Sequence, residues 1–118
     1  MKWAVRAEGK RLEQATAAVR LVLPPEMYIG GVAGFSDCDR EQLTIPSSSL
    51  LRGEREDIAL LDSVTLTNLE DIANALNDYN SRVEAARPRR VQGIAGGVFI
   101  AREVLSSLAK LAGLATLL

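Results

Sequence analysis

Apolar residues recur at helical spacing in three stretches of this chain. Between residues 10 and 23, Leu12, Ala15, Val19 and Val22 follow at intervals of three, four and three. That is one face of a helix, which Pro24-Pro25 must end. Residues 3–7 either extend this helix or form a short strand, with Gly9 lying between the two pieces. From 68 to 86 the same rhythm runs through Leu69, Ile72, Leu76, Tyr79 and Val83 until Arg87-Pro88. Thr67-Asn68-Leu69-Glu70 reads as a capping box at its start, and Asn77, Asp78, Asn80 and Ser81 fall on its solvated sides. The third stretch spans 91–117. Val91, Ile94, Val98, Ala101, Leu105, Leu108, Ala112 and Ala115 alternate by three and four, as in a packed helical pair. Ile100, Val104, Leu111, Leu114 and Leu118 widen its apolar surface.

Between the first two helices the pattern breaks down. Residues 24–53 hold Gly30, Gly31, Gly34 and Pro46-Ser47-Ser48-Ser49, and read as an irregular connection with a short strand at Gln42–Ile45. The segment Asp57–Thr67 fits a half-buried strand through Val64 and Leu66, or a helix from Glu54 through Ile58, Leu61 and Val64. The expected fold class is therefore mainly α, with about three helices, an irregular glycine-containing middle and room for short strands. Residues 1–118 form a single domain or an assembly subunit. The short link Arg87–Arg90 makes 68–118 an antiparallel helical hairpin. Its facing stripes would be Leu69/Ile72/Leu76/Tyr79/Val83 and Val98/Ala101/Leu105/Leu108/Ala112, so Leu105→Asp is expected to unfold or dissociate the chain.

Composition narrows the chemistry. The 118 residues are 47% hydrophobic and 25% charged, which suits an ordinary globular domain. There is no histidine, which excludes Ser-His-Asp and Cys-His nucleophile pairs and every histidine-ligated metal. The lone Cys38 allows no intrachain disulfide and no thiolate zinc site. The N-terminus, Met1-Lys2-Trp3-Ala4-Val5-Arg6, regains charge too soon for a signal peptide. A cytoplasmic location, or packaging inside an assembly, is expected.

The net charge of −1 hides segregation. Residues 1–22 hold five basic and two acidic side chains, 23–86 four and twelve, and 87–118 five and one. Basic ends around an acidic middle can be satisfied by folding or by head-to-tail contact with neighbours. The chain is not the basic domain that nucleic-acid binding calls for.

Candidate sites are weak. Asp37, Asp39 and Glu41 alternate like the opening of a calcium loop, but Gln42 stands where the turn glycine belongs and Ser48 where the distal glutamate belongs. Gly30-Gly31-Val32-Ala33-Gly34 lacks a phosphate-loop continuation and reads as a tight turn or close backbone packing. Glu54/Glu56/Asp57 and Glu70/Asp71 sit where acids favour helix starts. Acidic neighbours disfavour a Cys38 thiolate.

The junction Arg87, Arg89 and Arg90 precedes a glycine-rich apolar run, Val91–Ala101. In motif terms it resembles a processing site ahead of a fusion-peptide-like segment. The chain departs from secreted viral fusion proteins in its cysteine count and N-terminus. The charge-free run is also too short to span a bilayer.

The expected function is a non-enzymatic structural or assembly subunit, without cofactor or metal. It would pack against copies of itself or a larger complex, as in a small phage-like particle. The interface would use Val98, Ala101, Leu105, Leu108, Leu111, Ala112 and Leu114. The alternative is peripheral membrane binding through Arg87, Arg89, Arg90 and the helix after them.

Overall fold

The computed structural model describes residues 2–23, 28–29, 32–90 and 94–118, with side chains described except at 28–29 and 94–101. The fold is mainly α. Among the described residues it contains α1 (Lys2–Val22), β1 (Tyr28–Ile29), β2 (Val32–Ala33), α2 (Asp37–Leu43), a 3-10 turn (Glu56–Leu60), α3 (Ser63–Ala85), β3 (Arg89–Arg90) and α4 (Ile94–Ala115). The molecule is a rod of 53 × 21 × 20 Å.

The last helix is the axis of this arrangement. It packs against α3 and α1 and also touches β1 and β2, while α2 reaches both α1 and α3. Arg82 of α3 meets Glu103 of α4 at 2.7 Å, and Leu61 and Thr65 line a cleft with Leu117 and Leu118. The two helices therefore run antiparallel, as the short link implied. Gly9 of α1 lies against the C-terminal turn of α4: a Cβ there would stand 2.9 Å from Leu118 Cβ and 3.2 Å from the Ala115 carbonyl. Close approach thus explains a glycine inside a continuous helix, and residues 2–9 belong to α1 and not to a strand.

Each helix buries a stripe shaped by this central position. From α1 come Val5, Glu8, Gly9, Leu12, Thr16 and Val19. Leu12 and Val19 match the expected face, Ala15 is half-buried, and Val22 is exposed. The carboxylate of Glu8 is covered because Arg11 hydrogen-bonds to it and anchors onto the Pro46 carbonyl at 2.9 Å. From α3 come Leu69, Ile72, Ala75, Leu76, Tyr79 and Val83, which contains the whole expected stripe. From α4 come Val104, Ser107, Leu108, Leu111 and Ala115. Leu105, expected in the seam, is 44% exposed. The expected facing stripe is corrected accordingly, by somewhat less than the ~100° that separates neighbouring residues. Val91, Ile94, Val98 and Ala101 lie outside the residues whose side chains are described.

Three local expectations also change. α3 begins at Ser63, because Asp62 caps it by accepting from the Thr65 amide at 3.0 Å. Thr67 is an interior helical residue whose hydroxyl donates to the Ser63 carbonyl, so the capping box is not formed there. The region 24–53 holds two short strands and α2, started by Ser36, which accepts from the Asp39 amide at 3.2 Å. The strand expected at Gln42–Ile45 is instead the end of α2 followed by extended chain. Strand order is β1-β2-β3, antiparallel, with Val32 opposite Arg90 and Ala33 opposite Arg89.

Hydrogen bonds from Thr65 hold the Asp62 carboxyl below the usual carboxylate range. A carboxyl whose folded pKa is lowered stabilises the fold above its unfolded value, and that contribution is lost as pH falls through the folded value. Thermal melts of the wild type are expected to decline more steeply below about pH 4 than those of Asp62→Asn, whose amide oxygen keeps the cap without titrating. Equal acid limbs for the two proteins would refute this role of Asp62.

Candidate functional site

Placement of the sequence-derived site residues divides them. Leu108 and Leu111 are fully buried in the chain's own core, Ala112 and Leu114 are half-buried, and Leu105 points outward. The side chains of Val98 and Ala101 lie outside the described residues. Arg87, Arg89 and Arg90 are all exposed, but Arg89 and Arg90 form the edge strand β3 and not a free linker. Arg87 pairs with Glu84, and this hydrogen bond draws the Glu84 carboxyl below its ordinary range and raises the guanidinium above its own. Over the described part of α4, residues 102–115, the apolar width is largely explained inside the chain, since Val104, Leu108, Leu111 and Ala115 are buried and α1, α3 and two strands all pack on the helix.

The acidic candidates serve local structure. Asp37, Asp39 and Glu41 ride on α2, whose Arg40 is buried. Arg40 donates to the Phe35 carbonyl at 3.1 Å and pairs with Asp37, with Glu84 at 3.8 Å. Its Nε has no hydrogen-bond partner among the described residues. Cys38 is exposed on the same helix. No group of three His, Cys, Asp or Glu side chains able to hold a metal is found among the described residues.

Two α3 residues do work that periodicity did not reveal. Asn80 was expected to be solvated; it is half-buried and binds both backbone groups of Ile45. The Ile45 amide donates to Asn80 Oδ1 at 3.0 Å, and Asn80 Nδ2 donates to the Ile45 carbonyl at 2.8 Å. The side chain thereby replaces a neighbouring strand for a segment that has none. One residue earlier, the buried Tyr79 hydroxyl donates to the Leu43 carbonyl at 2.6 Å. Burial raises its pKa well above the ordinary tyrosine value.

The surface left unexplained is the outer face of α1. Trp3 is 83% exposed and Leu21 is 88% exposed. They stand eighteen residues apart, about five full turns, and so share one azimuth. Between them Ala7, Lys10, Gln14 and Ala17 are exposed on the same side. The Trp3 end is also the end of the rod where Leu60, Val64 and Leu117 are exposed, around a cleft lined by Lys2, Val5, Arg6, Leu61 and Leu118. The signal was present in the sequence as Trp3 and Leu21 in phase. Gly9 masks it, because periodicity does not show whether residues 3–7 continue the helix.

No helix among the described residues is long and apolar enough to cross a membrane. In comparisons with protein-family models, curated proteins and solved structures, this chain matches none.

Proposed function

We propose that this protein is a non-enzymatic assembly subunit that works by helix packing, and that its docking face is the outer side of α1. The observation that carries this reading is the line from Trp3 to Leu21. An exposed tryptophan and an exposed leucine in phase along one helix, with Ala7, Lys10, Gln14 and Ala17 between them, form a helix-packing surface without a partner among the described residues. The expected interface thus moves from α4, whose described apolar side is mostly spent on the core, to α1. Trp3 is the single tryptophan of the chain, so its fluorescence reports directly on whether this face is covered. Emission is expected to shift to shorter wavelength as protein concentration rises, together with an increase in sedimentation mass. Trp3→Ser/Leu21→Ser should keep the monomer mass with unchanged helicity. A wild-type chain whose tryptophan stays solvated and whose mass stays monomeric at every concentration would remove self-packing through α1.

A second reading is attachment to an anionic membrane surface. It is favoured by Trp3, Leu60, Val64 and Leu117 standing exposed at one end beside Lys2 and Arg6. The basic junction and α4 serve it less well, because Val104, Leu108 and Leu111 are covered. Flotation with anionic vesicles separates the two readings.

A further inference from the structure

The charges of the long helices are sorted by helix, and this specifies the partner that the outer face of α1 fits. On α1 the exposed cations are Lys2, Arg6, Lys10 and Arg20, against the exposed acid Glu13; Glu8 is buried and held by Arg11. That face is therefore net +3. On α3 the exposed acids are Glu70, Asp71, Asp78 and Glu84, against Arg82; Glu84 is already held by Arg87, which leaves this face net −2. Arg82 is itself occupied by Asp78 and Glu103. The acidic side continues onto α2, where Asp37 and Glu41 are exposed while Arg40 is buried. The two helices have 21 and 23 residues, so each presents a strip about 30 Å long. Their buried stripes converge on a shared core around α4, which leaves the two strips facing solvent in different directions.

We infer that the partner of α1 is the outer face of α3 in a second copy of this chain, in a head-to-tail contact. This rests on the assembly reading above and makes its partner specific. A two-fold pair through α1 would set +3 against +3, and one through α3 would set −2 against −2. Only the mixed contact joins opposite signs, with Lys10 and Arg6 reaching the band of Glu70, Asp71 and Asp78. Such a contact is heterologous: every copy offers one donor face and one acceptor face, so it closes into a ring or continues as a filament. Attraction between exposed charges steers and selects the partner, while Trp3 and Leu21 supply apolar area along the same strip.

Sedimentation of the full chain across a concentration series, at low and high salt, tests this. Association is expected at low ionic strength and should weaken as salt shortens the screening length from about 10 Å at 0.1 M to about 3 Å at 1 M. Arg6→Glu/Lys10→Glu and Glu70→Lys/Asp71→Lys should each raise the self-dissociation constant about tenfold or more, with circular dichroism unchanged because all four side chains are exposed. An equimolar mixture of the two variants should recover association, since each contributes the face that the other has lost. If the α3 variant still self-associates while the α1 variant does not, α1 pairs elsewhere; the head-to-tail contact falls and assembly through α1 stands. Association that neither variant changes also overturns the head-to-tail contact. A wild type that remains monomeric at low salt, or that associates only on anionic vesicles, overturns both.

Discussion

Leu108→Ala is expected to destabilise the protein by about 3 kcal/mol, and Leu105→Ala by less than about 1 kcal/mol. The two leucines are three residues apart on α4 and chemically identical, so the difference isolates position. Leu108 is fully buried where α4 meets its neighbours, and truncation leaves a cavity that packed helices cannot collapse around. Leu105 is 44% exposed and loses only part of its transfer free energy. Urea denaturation with an unchanged slope gives both values. The aspartate versions sharpen the contrast: Leu108→Asp should abolish folding, while Leu105→Asp folds with wild-type helicity. If Leu105→Asp unfolds and Leu108→Asp does not, the buried side of α4 is wrongly assigned.

That pair also shows where the sequence was legible. On α3 the apolar positions occupy one narrow stripe, so periodicity gave both element and face. On α4, Val104 and Leu111 lie beside Leu105 and Ala112, and two overlapping stripes satisfy the same three-four rhythm. Periodicity then gives a helix without its phase. Ser107 added to the ambiguity. It sits inside the true stripe because its hydroxyl donates to the Val104 carbonyl at 2.9 Å, so the helix itself supplies its hydrogen-bond partner. A polar residue in the core is the kind of departure that hydropathy patterning reads as surface.

Elsewhere the missing information was long-range. The bonds from Asn80 to Ile45 and from Tyr79 to Leu43 span 35 and 36 residues, and nothing near either residue announces them. α2 has seven residues, too few for a periodic signal, although Ser36 before Asp37-Cys38-Asp39 has the chemistry of a helix cap. The capping-box spacing of Thr67 and Glu70 points to a helix start at Thr67. Asp62 has its own acceptor and the better position, with Val64 and Leu66 inside the helix. The charge segregation, by contrast, was fully legible. The structure adds that the exposed cations of residues 1–22 lie on α1 and that four of the acids, Glu70, Asp71, Asp78 and Glu84, lie on α3.

Gly34→Ala is expected to cost roughly 2–5 kcal/mol, because backbone strain and a backbone clash act together there. Its φ is +132°, a conformation that side-chain-bearing residues rarely adopt. A Cβ at this position would lie 2.5 Å from the Arg87 carbonyl oxygen and 2.7 Å from that of Ala86. Neither carbonyl can swing aside cheaply. Ala86 accepts the Phe35 amide at 2.7 Å, and the next residues enter β3, which pairs with β2. This is the close backbone packing that the glycine-rich stretch suggested in place of a phosphate cradle. It fastens the turn after β2 to the end of α3 and seats the buried Ala33 and Phe35. Gly53→Ala is the control, since Gly53 has φ of +69° but nothing within 4 Å of a built Cβ. That substitution should cost only the left-handed penalty, about 1–2 kcal/mol. Chemical denaturation of both variants tests the difference: equal losses would mean that φ alone is at issue and that the contact between Gly34 and the Ala86–Arg87 backbone contributes nothing.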